Sequence, residues 1–152
     1  MPEEVIRPMR LALDEARRAS QRGEVPVGVV IIDPASKEVI AAAGNRVVEH
    51  HDPTAQAEIL AIRAASLGRG GERIGGADMY VTLEPCPMCA QAISFARIRR
   101  LYFGAADAKG GGVENGPRIF SQSTCHHRPD VYGGIDEIQA SALLRDFFKG
   151  RR

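Results

Sequence analysis

Cysteine is scarce in this chain, with three in 152 residues, and an odd count that small gives no disulfide framework. The thiols therefore read as reduced and available for chemistry, which points to a reducing compartment. Net charge is scarce too: 20 Lys and Arg stand against 19 Asp and Glu, leaving +1. No global field attracts nucleic acid, so a polyanionic partner has to be held by local patches. Long apolar runs are missing as well. Val25 to Ile32 is the longest and is broken by Pro26 and Gly28, far short of the ~20 residues a membrane span requires. The opening MPEEVIRPMR is acidic and lacks the apolar segment of a secretory signal, so a cytoplasmic protein with no membrane partner is expected.

The length suits one domain over residues 1–152, and 44% hydrophobic with 26% charged residues describes a globular chain with enough apolar surface for a core. Ile6, Met9, Leu13 and Ala16 step by three and four, the spacing of an amphipathic helix, with Gly23 as its stop. Val27 to Ile32 and Val39 to Ala43 read as strands of an antiparallel hairpin around the turn at Asp33 to Ser36. Gly28 inside the first strand indicates a bulge or a close approach of backbone. Ala55, Ile59, Ile62 and Ala65 predict a second helix ended by Gly68, Gly70 and Gly71. Met79 to Leu83 is strand-like, Cys86 to Ala96 helical, Leu101 to Phe103 a short strand, and Asp136 to Lys149 a terminal helix. Gly110-Gly111-Gly112 suggests a mobile loop. The alternation of strand and helix predicts parallel pairing within an α/β fold whose mixed sheet carries helices on both faces. Ligands of such sheets bind beyond the strand carboxyl ends, where the segments after Asn45 and Leu83 lie.

Chemistry concentrates in Glu84-Pro85-Cys86-Pro87-Met88-Cys89. Cysteines three apart at a helix start share one face, and the unpaired amides and dipole of that first turn favour the thiolates a metal needs. A redox dithiol or two buried apolar thiols are the alternatives. Glu58 opens the other helix near that edge, where the dipole favours its ionised form.

Several segments together resemble the cytidine deaminase superfamily: Glu24 to Gly28, Gly44-Asn45-Arg46, Asp52 to Ile59, Tyr80 to Cys89, Ala96 to Arg100, Gly104 to Lys109 and Leu143 to Phe148. More narrowly they resemble the bacterial tRNA-specific adenosine deaminases, over nearly the whole chain. The resemblance implies a three-layer fold with a five-stranded sheet. It also implies one zinc per subunit held by position 56, Cys86 and Cys89, with Glu58 as the proton-transferring acid and base. It further implies contacts to the substrate from Asn45, Ala57, Pro85, Asp107, Lys109, Phe147 and Phe148, a tRNA anticodon stem-loop as partner, and a homodimer through the cysteine-bearing helix and the segment around Ile98. The reaction implied is hydrolysis of the wobble adenosine to inosine.

One position departs from the pattern. The family signature H-x-E has Gln56 where histidine belongs, and a neutral amide is a poor zinc donor, so impaired activity is expected. His50, His51 and the Cys125-His126-His127 cluster are the histidine-bearing segments that could stand in. Two other functions share the motif: a small-molecule guanine deaminase, and a zinc-poor subunit that binds tRNA or a partner without chemistry. The Arg97, Arg99 and Arg100 cluster, Asp107 with Lys109, and the Phe147-Phe148-Lys149 end with Arg151 and Arg152 favour RNA.

Overall fold

A computed structural model describes residues 1–151. In chain order it contains α1 (Glu3–Gln21), β1 (Gly28–Ile32), β2 (Val39–Gly44), α2 (Ala57–Arg69), β3 (Asp78–Leu83), α3 (Pro87–Ala96), β4 (Arg100–Ala105), a 3₁₀ turn (Ile119–Ser121), β5 (Asp130–Tyr132) and α4 (Glu137–Lys149). The sheet order is β2-β1-β3-β4-β5. β1 runs antiparallel to both neighbours, while β3, β4 and β5 are parallel. The expected α/β fold with a mixed five-stranded sheet is therefore present. The first crossover differs from a simple parallel pair, because β1 lies between β2 and β3.

Every residue of β1 is buried, as a strand covered on both faces requires. Val29 and Ile31 point into a core shared with Ala57, Ala61 and Ala65 of α2 and Ala90 and Ile93 of α3. Val30 and Ile32 join Met9, Ala12 and Leu13 of α1 and Ala140 of α4 on the other face. Gly28 is a close approach: a Cβ there would stand 1.9 Å from the Ala12 carbonyl oxygen.

β2, β3 and β4 all end at one rim, where the chain enters α2, α3 and the 106–116 segment. The triple glycine of that segment is a correction to the mobile loop expected. Gly111 and Gly112 are buried, and the Gly112 N–H donates to the Pro85 carbonyl at 2.8 Å. β5, three residues long, carries no periodicity of its own and is held by parallel pairing with β4.

Candidate active site

Two helix starts meet at this rim. Gln56 is the N-cap residue of α2 and Cys86 that of α3, both with extended backbone, and Pro87 occupies the first helical position of α3. Cys89 follows one turn along and is fully buried. The Gln56 amide oxygen lies between the thiols, accepting from Cys86 Sγ at 3.3 Å and Cys89 Sγ at 3.2 Å. Zinc bonds of about 2.3 Å to sulfur and 2.0–2.2 Å to oxygen give a tetrahedral edge of roughly 3.5 Å between the two donors. The three side chains thus converge a few tenths of an ångström inside the span a zinc ion would set.

In placement the set fits zinc; in donor strength it is unequal, with two thiols and one neutral amide oxygen. Among the described residues no group of three or more His, Cys, Asp and Glu side chains is arranged for a metal, because the third donor here is an amide.

The Cys86 thiol is lowered to about 6, first by a hydrogen bond from the Cys89 thiol and further by the Cys89 and Met88 amides of the opening turn. Cys89 moves the other way, raised by its bond to Cys86 and by burial. The pair therefore releases its first proton readily and its second reluctantly. Glu58, 3% exposed in the first turn of α2, is raised to about 7 by desolvation and by the charge of Cys86. Here the expected dipole stabilisation of the ionised form is outweighed by burial. A carboxyl group titrating near neutrality can both take and give a proton.

The surrounding cleft of ≈ 570 Å³ is lined by Gln56, Glu58, Cys86, Asn45, Asp107 and Phe147 among others. Asn45 is held at both ends of its amide: Nδ2 donates to the Val25 carbonyl at 3.1 Å and Oδ1 accepts the Ala57 N–H at 2.8 Å. The Ala57 amide and the Pro85 carbonyl, both expected to line the site, are thus engaged with Asn45 and with Gly112. Phe147 reaches the cleft with Arg151 stacked on its ring at 4.2 Å, while Phe148 is half exposed outside it. Lys109 is exposed and meets Asp107 Oδ1 through its backbone N–H at 3.2 Å. Arg152 lies outside the described residues.

The alternative histidines lie elsewhere. His50 pairs with Glu49 at 3.2 Å, and the His127 ring bonds the Ile98 carbonyl at 2.6 Å. The arginine cluster does not line this cleft. Arg99 forms a two-pronged pair with Asp78 at 2.9 and 2.7 Å, and with Arg100 it borders a larger cavity of ≈ 720 Å³ at the opposite sheet edge, under the start of α1. That cavity contains no thiol, so size does not mark the chemistry here.

Two buried carboxylates escaped the sequence reading. Glu24 accepts the Val48 and Glu49 amides, at 3.0 and 2.9 Å, and so fixes the segment leading to α2. Glu84 gathers the 106–116 segment. Burial would raise its pKa, but hydrogen bonds from Asp107 and Asn115 hold it below the usual carboxylate value. The sequence offers no signal for either beyond a carboxylate beside a proline or a strand.

Comparison with known proteins identifies the family. Residues 2–105 match the cytidine and deoxycytidylate deaminase zinc-binding region. A tRNA-specific adenosine deaminase of Agrobacterium fabrum is 59% identical over 144 residues, covering 95% of this chain and 93% of its own. That of Aquifex aeolicus is 43% identical over 145 residues, covering 95% and 93%. A solved tRNA:A34 deaminase, studied for A-to-I editing at the wobble position, superposes with a TM-score of 0.88 at 59% identity, over 91% of this chain and 99% of that one. A guanine deaminase from Nitrosomonas europaea, 23% identical with a TM-score of 0.78 over 96% of this chain and 84% of its own, shares the fold. With these relatives covering almost its full length, the chain belongs to the tRNA-specific adenosine deaminase family within the zinc-binding cytidine and deoxycytidylate deaminases.

Proposed function

We propose that this protein hydrolyses adenosine to inosine at the wobble position of a tRNA anticodon loop, with a metal centre weakened by Gln56. The observation that carries the reading is the convergence of Cys86, Cys89 and the Gln56 oxygen beside buried Glu58 at the floor of a base-sized cleft. Cys86, Cys89 and Gln56 would hold zinc, one ion per subunit. Zinc, when bound, supplies the Lewis acidity that brings the pKa of water toward neutrality.

The chain's own groups do the rest. A stacked adenine cannot reach the floor, so the base is turned out of the loop into the cleft, past Phe147 and Arg151 at its mouth. Glu58 accepts the proton of the water that adds to C6 and returns it as ammonia leaves, a double duty suited to a carboxyl group near pH 7. Asn45 braces the start of α2 against the Val25 carbonyl, and the remaining hydrogen-bonding capacity of its amide serves the purine. Asp107 and Lys109 meet the flanking nucleotides.

Exposed Met88 and Phe95 on α3, with Leu67 on α2, give an apolar surface for a homodimer through the cysteine-bearing helix. All three cysteines are free thiols, which suits a cytoplasmic location; no described helix is long and apolar enough to cross a membrane.

A second reading has one observation in its favour. The third donor beside the two thiols is a neutral amide oxygen, a poor zinc ligand, as suits a subunit that binds tRNA or a partner without chemistry. Inosine formed in an anticodon stem-loop, with zinc supplied, separates these readings. Slow conversion, accelerated at least tenfold by Gln56→His, is expected. Deamination of free guanine with the stem-loop untouched overturns the proposal. RNA binding with no inosine from either protein selects the second reading.

A further inference from the structure

Glu84 immediately precedes Pro85-Cys86 and is 2% exposed at the end of β3. Its two oxygens receive five N–H groups from one segment. Oε1 accepts from the Asp107 amide at 3.0 Å and from Asn115 Nδ2 at 2.7 Å. Oε2 accepts from the amides of Val113, Glu114 and Asn115 at 3.1, 2.9 and 3.0 Å. The segment is shaped to this carboxylate, because a Cβ on Gly111 would stand 2.5 Å from Oε2, and one on Gly112 would stand 2.5 Å from the Pro87 nitrogen. Bonds of this kind to an ionised acceptor are about twice as strong as neutral ones.

We infer that Glu84 is a positioning residue, which fixes the 106–116 segment against the cleft wall so that Asp107 and Gly110 stand over the site. The turn that delivers Cys86 to the metal centre thereby also sets the surface that meets the nucleotides beside the target base. The RNA half of this inference rests on the function proposed above; the ordering of the segment does not.

Glu84→Gln separates the two. A glutamine has the same shape but only one accepting oxygen, so whichever way it turns, its amino group faces amides that need an acceptor. Hydrogen exchange at the amides of 107 and 113–115 should quicken at least tenfold, while zinc content and the exchange of β1 and β3 stay at wild-type values. Affinity for an anticodon stem-loop should fall at least tenfold. Abasic residues flanking the target should weaken the wild-type complex but leave that of the variant unchanged, which a merely structural role would not produce. Asn115→Ala, removing only the Nδ2 donor, should show a smaller effect in the same direction, and it decides the matter if Glu84→Gln does not fold. Unchanged exchange at these amides overturns the inference. Wild-type protein that fails to bind the stem-loop overturns the functional reading alone, and the exchange result then still decides the positioning role.

Discussion

Replacing Gly28 by alanine should cost stability through one contact. The added methyl would sit 1.9 Å from the Ala12 carbonyl oxygen and 2.5 Å from the Ala16 amide nitrogen, where real Cβ atoms essentially never come within 3.0 Å. Both obstacles are main chain of α1, so no rotamer change relieves the clash, and the helix has to move by more than 1 Å. That lifts Met9, Ala12, Leu13 and Ala16, all 0–2% exposed, from the sheet. Overpacking usually costs about 1–3 kcal/mol, and with unyielding backbone on both sides about 3 kcal/mol is expected. For a chain of this size that corresponds to roughly 6–12 °C in melting temperature. Gly68 is the matched control, since it lies in α2 with nothing within 4 Å of an added Cβ. Gly68→Ala should raise stability by about 0.5–1 kcal/mol through helix propensity alone. Urea unfolding followed by circular dichroism, with chelator present, measures both. A loss below about 1 kcal/mol for Gly28→Ala, or an equal loss in both variants, would refute the argument.

Other outcomes follow from the same geometry. Thr82→Val removes the acceptor of the Gly28 N–H, a buried bond of 3.1 Å, and should cost about 1–3 kcal/mol in urea unfolding, whereas Thr82→Ser should cost less. Glu58 has a pKa raised above its unfolded value of about 4.3, so its stabilising share is complete below that pH and is lost as pH rises toward about 7. In chelator, unfolding free energy should fall by about 3 kcal/mol across that window, and Glu58→Gln should flatten the fall; an unchanged slope would show that another group is responsible. Phe147→Ala should weaken stem-loop binding by about 1–3 kcal/mol in anisotropy titrations, while Phe148→Ala, outside the cleft, should change it little.

The two helix starts were legible because their signals are local. A proline before and within the Cys86–Cys89 turn, and a carboxylate in the first turn of α2, fix where each helix begins with no knowledge of the rest. Gly28 was legible for the same reason: a glycine in a β-branched run has few explanations. The 106–116 segment was not, because its glycines serve a carboxylate more than twenty residues earlier, and sequence order does not reveal that Glu84 faces them. Arg99 and Arg100 read as a basic patch until strand pairing set Asp78 beside Arg99 at the far sheet edge. The ionisation of Glu58 was misjudged because helix dipole and burial oppose each other, and burial appears only once the sheet is assembled.

Zinc affinity, measured by competition with a chromogenic chelator for the wild-type protein and for Gln56→His, bears most directly on the site. One ion per chain bound at least tenfold more tightly by the histidine variant, with binding abolished in either by Cys86→Ser, is the predicted result. Equal affinity in the two proteins, or zinc retained without Cys86, would contradict a metal centre built from these three side chains.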